Sequence, residues 1–155
     1  MTKPLFITFE GPEGAGKTSV LKQLVAEFQQ ILGDDLISTR EPGGNPISEA
    51  IRAILQPEED NGMDDRTEAL LYTAARRQHL VETVLPALRA GKVVISDRYV
   101  DSSLASQGGG RGVGIDNIWQ INQFAIDGLL PDLTIYFDVP PELGLARVNA
   151  SRQEK

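Results

Sequence analysis

The sequence predicts an α/β fold, a parallel β-sheet flanked by helices on both faces, and three observations predict it. Short apolar runs rich in β formers alternate with stretches of helical period, a pattern that implies right-handed crossovers between parallel strands. The runs Val93 to Asp97 and Leu133 to Phe137 each lead into a carboxylate, as buried parallel strands do when their C-terminal edge faces a site. A glycine-rich turn lies between the first such run and the first helix.

Taken in order, Leu5 to Phe9 is the first strand, and the helix Lys17 to Leu32 follows with Val20, Leu21, Leu24, Val25 and Phe28 on one face. Gly33 stops that helix, Leu36 to Thr39 forms a second strand, and Glu41-Pro42-Gly43-Gly44 is a turn. Helical period resumes from Pro46 to Leu55, breaks between Gln56 and Asp65, and returns from Thr67 to Arg89, where Pro86 is late enough to kink rather than forbid a helix. Gly91 closes it, and Val93 to Asp97 is the third strand. A loop is expected over the five glycines between Gly108 and Gly114, then a helix from Ile115 to Leu129. The fourth strand, Leu133 to Phe137, is expected to be buried like the third and to end at Asp138, and the last helix opens at Pro140-Pro141-Glu142.

A chain of 155 residues suits one domain, residues 1–155, burying about 70% of its unfolded surface. The net charge of −7 repels nucleic acid and anionic lipid, so any polyanion must bind at a local basic site. Cysteine is absent, which removes disulfides, thiolate catalysis and cysteine metal sites. Met1-Thr2-Lys3-Pro4 leads straight into a strand, and no stretch approaches the ~18 apolar residues of a membrane span, so the expected location is cytoplasmic, with no membrane partner.

Gly11-Pro12-Glu13-Gly14-Ala15-Gly16-Lys17-Thr18 matches G-x-x-x-x-G-K-[ST] after a strand and at the start of a helix. Inward-turned backbone N–H groups and the positive end of the helix dipole suit a β-phosphate there, Lys17 reaches the β and γ oxygens, and Thr18 is placed to ligate Mg²⁺. The bland alternative is a glycine-rich turn with no ligand. No Asn-Lys-x-Asp segment is present, which weakens a guanine-nucleotide switch. Asp97 at the end of the third strand can order Mg²⁺ or its waters, and Arg98 beside it can hold a second phosphate, although the two could equally form a plain surface ion pair.

The phosphate loop, Thr39-Arg40-Glu41-Pro42-Gly43-Gly44, Asp97-Arg98-Tyr99 and Gln107-Gly108-Gly109-Gly110-Arg111-Gly112 together resemble thymidylate kinases of the bacterial type, with the four blocks in the family's order. The resemblance implies the P-loop nucleoside monophosphate kinase fold, ATP as donor at residues 11–18, dTMP as acceptor, and Mg²⁺ held through Thr18 and Asp97. Trp119 and Phe124, with Ile115, Ile118, Ile121 and Ile126, read as a buried helix face, and the resemblance suggests that part of this surface forms a homodimer contact. It implies that Arg98 grips the dTMP phosphate, and that Tyr72 and Arg76, four apart on one helix face, stack on the thymine ring and bond its O4. Without the resemblance, Tyr72 reads as core packing, and Arg77 beside Arg76 cannot face the same pocket. Ser103 and Gln107, expected where a loop becomes a helix, match positions on the pyrimidine edge. Arg52 matches an arginine near the acceptor, Glu41-Pro42 a turn lining the sugar pocket, and Glu13 the acid that accepts from the sugar 3′-hydroxyl.

Two departures from the family pattern stand out. Ser106 occupies a place where tyrosine would crowd out a ribose 2′-hydroxyl, and the chain stops at Lys155, at or just inside the lid of the family. Gly14 stands where other members carry arginine, so Arg147 and Arg152 are the candidates for neutralising transition-state charge. His79, the sole histidine, lies between Arg77-Gln78 and an apolar stretch and is expected on an exposed helix face. The competing readings are a P-loop kinase of another monophosphate and a nucleotide-binding switch that needs no acceptor.

Overall fold

The structure is a computed structural model that describes residues 3–154; Met1, Thr2 and Lys155, which bound the expected unit, lie outside the described residues. Strands β1 (Leu5–Glu10), β2 (Leu36–Arg40), β3 (Val93–Asp97) and β4 (Leu133–Tyr136) form one parallel sheet in the order β2-β3-β1-β4. Helices α1 (Lys17–Leu32), α2 (Pro46–Leu55), α3 (Asp65–His79), α4 (Leu85–Arg89), α5 (Val100–Ser103), α6 (Ile115–Ile126) and α7 (Pro141–Gln153) connect and flank it.

Strand parity decides which face each side chain serves, because successive residues point to opposite sides. Leu5, Ile7 and Phe9 of β1 join Val93 and Ile95 of β3 in a cluster that packs against Leu21, Leu24, Val25 and Phe28 of α1. Phe6 and Val94 join the opposite cluster, with Leu80, Val84 and Ala87 below it and Tyr99, Val100 and Ile126 beside it. Carried one step further along the strands, the same parity sends Asp97 toward the α1 side and Glu10 toward the side of α3, α5 and α6. The chain leaves β1 and β3 in different directions, so a crevice opens outside the carboxyl ends of these two neighbours.

Several elements depart from the sequence expectation. The helix expected from Thr67 starts at Asp65, because the Asp64 side chain caps it by accepting from Thr67 N–H. A π-helical turn, Leu80–Val84, lies just ahead of Pro86, which has no N–H to give. Gly108 to Gly110 are helical, not loop: α5 runs straight into a π-helical stretch, Leu104–Gly110. Gly108 packs so closely on the start of α6 that a Cβ there would meet Ile115 Cα at 3.2 Å, which accounts for the glycine at that position. Helix α6 ends at Ile126, three residues early, where Asp127 and Gly128 both turn left-handed. Strand β4 is not buried: among the described residues it is one of the two edges of the sheet, β2 being the other, and Leu133 and Tyr136 are exposed. No helix among the described residues is long and apolar enough to cross a membrane.

Candidate active site

The phosphate loop takes the shape its glycines allow. Gly11, Gly14 and Gly16 all have positive φ, and Gly16 is the N-cap of α1. Gly11 has no room for a side chain, because a Cβ there would stand 2.9 Å from that of Phe137. Lys17 folds back into the loop, and its Nζ donates to the Gly11 carbonyl at 2.9 Å and the Pro12 carbonyl at 3.2 Å. Burial pushes the Lys17 pKa down, and the positive charge of Arg98 lowers it further. Both cations line one common space.

That space is a cleft of about 1440 Å³ at the carboxyl edge of the sheet, running from the phosphate loop past Asp97 and Arg98 to Tyr72 and Arg76 of α3. Its volume exceeds the ~300–1,000 Å³ typical of a single small-ligand site. Arg98 sits in a left-handed conformation, φ 73, that costs a non-glycine residue about 1–2 kcal/mol. The surroundings hold it there. Its N–H donates to Phe9 O at 2.9 Å, its carbonyl accepts from Ser96 Oγ at 2.8 Å, and the next N–H, of Tyr99, donates to Glu10 Oε1 at 2.7 Å.

Glu10 is absent from the sequence-derived site, yet it borders the cleft and organises this corner. Its second oxygen accepts from the Ser102 hydroxyl, and Ser102 Oγ in turn accepts from Arg98 Nη1 at 3.3 Å. Burial raises the Glu10 pKa above its ordinary 4.5, against the opposing pull of the Ser102 and Tyr99 hydrogen bonds. The available signal is its position: like Asp97, it is a carboxylate closing an apolar strand.

Asp97 Oδ1 is buried with no hydrogen-bond partner, and Asp97 and Thr18 both line the cleft. An orphaned carboxylate oxygen beside an exposed hydroxyl fits a hard divalent cation. No cluster of three or more metal-ligating side chains is found among the described residues, so phosphate oxygens and waters would have to complete the shell, as Mg²⁺ tolerates.

The thymidylate kinase family model matches residues 9–155. The chain belongs to the thymidylate kinase family. Thymidylate kinase of Leuconostoc citreum is 83% identical over 155 residues, covering all of this chain and 72% of that relative. Thymidylate kinase of Leuconostoc mesenteroides is 79% identical, again over the whole chain and 73% of the relative. The crystal structure of thymidylate kinase from Ehrlichia chaffeensis superposes with a TM-score of 0.83 at 37% identity, covering 98% of this chain and 86% of that one.

Within this thymidylate kinase cleft lie residues 11–18 of the phosphate loop, Glu41, Pro42, Arg52, Tyr72, Arg76, Asp97, Arg98, Ser103 and Gln107, so all but one of the sequence-derived site residues converge. The exception is Arg152, exposed in the last turn of α7 and outside the lining. Arg147, one helix turn earlier, donates from Nη1 to the Gly14 carbonyl at 3.2 Å. A Cβ on Gly14 would stand 2.2 Å from Gly144 O, so the α7 backbone fills the space an arginine at that loop position would need.

Tyr72 is half-buried against the cleft rather than in the core, and burial raises its phenol pKa. Arg76 turns into the molecule beside it while Arg77 points elsewhere, donating to Ala125 O at 3.1 Å. Arg52 braces the acceptor side by donating to Pro42 O at 2.9 Å, next to the cis Glu41-Pro42 bond, and burial lowers its pKa. Ser103 and Gln107 are both buried at the wall and lie within continuous helix, four apart on one face, not at a loop-to-helix junction. His79 is not exposed at all: it is 0% accessible, hydrogen-bonded at both ring nitrogens to Glu41 and Thr39. Its polar neighbours in sequence mislead, because the groups that receive it come from the segment around β2.

Proposed function

We infer that this cleft transfers the γ-phosphoryl group of ATP to dTMP, giving ADP and dTDP for dTTP synthesis. The observation that carries the reading is a single continuous cleft lined by Lys17 and the phosphate loop and by Arg98 and the residues around it. Family membership supplies the acceptor class.

In the proposed mechanism, amides of residues 11–18 and the α1 dipole hold the β- and γ-phosphates while Lys17 leaves its two carbonyl partners for the γ-phosphoryl oxygens. Arg98 holds the dTMP phosphate in line with it, and the strained, fully tied backbone at Arg98 gives the guanidinium a fixed origin. The attacking phosphate oxygen is already anionic near neutral pH, so no general base is needed, and catalysis rests on positioning and charge stabilisation. Thr18 and Asp97 would hold Mg²⁺, which when bound neutralises phosphate charge. Arg147 of α7, whose guanidinium reaches the Gly14 carbonyl, is the proposed source of further positive charge over the migrating group, and Arg152, exposed outside the cleft, is not.

On the acceptor side, Tyr72 stacks on the thymine ring, Arg76, Ser103 and Gln107 address its edge, and Glu13, Glu41, Pro42 and Arg52 line the sugar and phosphate. Residues 1–155 are proposed to carry both sites as one cytoplasmic domain. Of the α6 residues expected on a buried face, Ile118 and Ile126 are buried but Ile115 is exposed and Phe124 is 89% accessible, and these two exposed apolar side chains support a homodimer contact over α6. The test is transfer of label from [γ-³³P]ATP across a panel of monophosphates with added Mg²⁺. Labelled dTDP is expected as the dominant product, with loss of at least about a hundredfold in Lys17→Met; preferential labelling of another monophosphate would reassign the acceptor, and ATP hydrolysis that ignores every monophosphate would indicate a switch.

A further inference from the structure

Beneath the acceptor side of the cleft runs a buried polar chain that phosphoryl transfer does not use. Glu41, Arg76, His79 and Asn122 are 4%, 2%, 0% and 0% accessible. The Thr39 hydroxyl lies 2.7 Å from His79 Nε2, His79 Nδ1 lies 3.0 Å from Glu41 Oε1, and Arg76 Nε donates to Glu41 Oε2 at 2.6 Å. An ionised carboxylate only accepts, and here it receives the Arg76 charge, so the proton facing it belongs to His79 Nδ1. For a neutral ring, Nε2 then accepts from Thr39. The bonds then converge on Glu41, one run coming from Thr39 through His79 and the other from Arg76.

Arg76 is held from all sides. Besides Nε on Glu41, Nη1 donates to Asn122 Oδ1 at 2.6 Å and Ser103 Oγ at 3.1 Å, and Nη2 donates to Tyr99 O at 2.9 Å. These four bonds, taken from the five N–H of a guanidinium, leave one N–H on Nη2. Arg76 borders the cleft, so that proton is what it has to offer a ligand.

We propose that His79 is a positioning residue for recognition of the acceptor base: by holding Glu41 it sets the roll of the Arg76 guanidinium, so that a single N–H meets a carbonyl oxygen on the pyrimidine and an amino group there is refused. The proposal rests on dTMP as acceptor. The imidazole is also a wedge, because a Cβ on Gly44 would come within 2.7 Å of its Cδ2, so the ring fixes the distance between the turn after β2 and α3. Removing the ring removes both the donor to Glu41 and the spacer that keeps Glu41 against Arg76. The ATP end of the cleft is expected to keep its affinity, since Lys17 Nζ bonds only the Gly11 and Pro12 carbonyls and the Arg98 guanidinium bonds Ser102, none of them members of this chain.

The test uses His79→Leu, which deletes the donor, His79→Asn, whose amide N–H can replace Nδ1–H, and Thr39→Val, which removes only the far end. Calorimetry measures dTMP, dCMP and a non-hydrolysable ATP analogue, and ¹⁵N NMR reads the imidazole directly because the chain has one histidine. In the wild type the Nδ1–H tautomer is expected. His79→Leu weakens dTMP about tenfold or more and narrows the dTMP to dCMP ratio, with the ATP analogue unchanged within about twofold; His79→Asn recovers most of the loss. Thr39→Val gives mixed tautomer signals and a loss of about threefold.

Unchanged dTMP affinity in folded His79→Leu overturns the proposal. So does a parallel loss of dTMP and ATP affinity that Asn does not repair, or an Nε2–H tautomer in the wild type. Where His79→Leu fails to fold, Thr39→Val decides, and wild-type tautomer and affinity in that variant overturn it. A wild type that binds another monophosphate in place of dTMP refutes the acceptor assignment instead, and the tautomer signal then still reports on His79.

Discussion

Replacing Glu41 by glutamine leaves its shape and removes its charge, at a position where that charge is almost wholly buried. The Glu41 and Arg76 side chains are 3% and 2% accessible, and the remaining partners of Arg76 are Ser103, Asn122 and the Tyr99 carbonyl, all neutral. In Glu41→Gln the guanidinium charge loses its counter-ion, and one amide oxygen must serve two donors, Arg76 Nε and His79 Nδ1. Breaking a buried pair in this way costs about 3–5 kcal/mol, out of a typical total of ~5–15 kcal/mol. For a chain of this length each kcal/mol moves the unfolding midpoint by about 2–4 °C, so a fall of roughly 6–20 °C is expected. Urea unfolding followed through the single tryptophan, Trp119, which packs on the Phe6–Leu80–Ile126 cluster, gives the free energy. In an Arg76→Met background the same Glu41→Gln change should cost only about 1 kcal/mol, because no stranded cation remains. Equal costs in the two backgrounds would refute the assignment of Glu41 as the counter-charge.

Two other perturbations have signs the structure determines. The Glu10 pKa is raised in the folded protein above its unfolded 4.5, so between those values the folded state holds more protons than the unfolded one, and stability declines as pH rises through that window. Glu10→Gln should therefore gain on the wild type in urea midpoint on going from pH 4 to pH 7.5; a difference that stays constant with pH would contradict this. Gly144→Ala adds a helix-favouring residue worth about 1 kcal/mol, but its Cβ would stand 2.3 Å from Glu13 O, so the phosphate loop or α7 must shift by about 1 Å. Affinity for an ATP analogue should fall about tenfold with dTMP affinity unchanged, and equal ATP affinity would show that α7 does not brace the loop.

Legibility followed the range of the interactions. Helix α1 and α2 have the boundaries read from sequence because their signals are local: left-handed glycines before Lys17, Gly33 after Leu32, and Asn45 capping Pro46–Leu55 through Ser48 N–H. The convergence of Lys17, Asp97 and Arg98 was also legible, since phosphate-loop strand and carboxylate-ended strand are neighbours in this fold. The polar chain around Arg76 was not. Glu41 meets His79 across 38 positions and Arg76 meets Asn122 across 46, and nothing within a helical window announces such partners. His79 therefore looks solvated in sequence, and Asn122 disappears into an apolar helix face. Gly108 to Gly110 look like a loop for a related reason: at Gly108 the glycine answers the close approach of Ile115, a tertiary fact, and does not mark a break in the helical stretch. The apolar run of β4 resembles that of β3, but among the described residues β3 is an interior strand and β4 an edge one, and sheet order is not written in either run.

Phosphoryl transfer by this chain requires one cleft holding two nucleotides with their phosphates toward each other. An adenosine and a thymidine joined 5′ to 5′ through five phosphates spans both ends, and calorimetry on the protein with Mg²⁺ measures it directly. Binding is expected at one molecule per chain, at least about a hundredfold tighter than ATP or dTMP alone and competitive with both, with most of the gain lost in either Lys17→Met or Arg98→Ala. An affinity no better than that of ATP, with dTMP still able to bind beside it, would show that the two ends do not face each other.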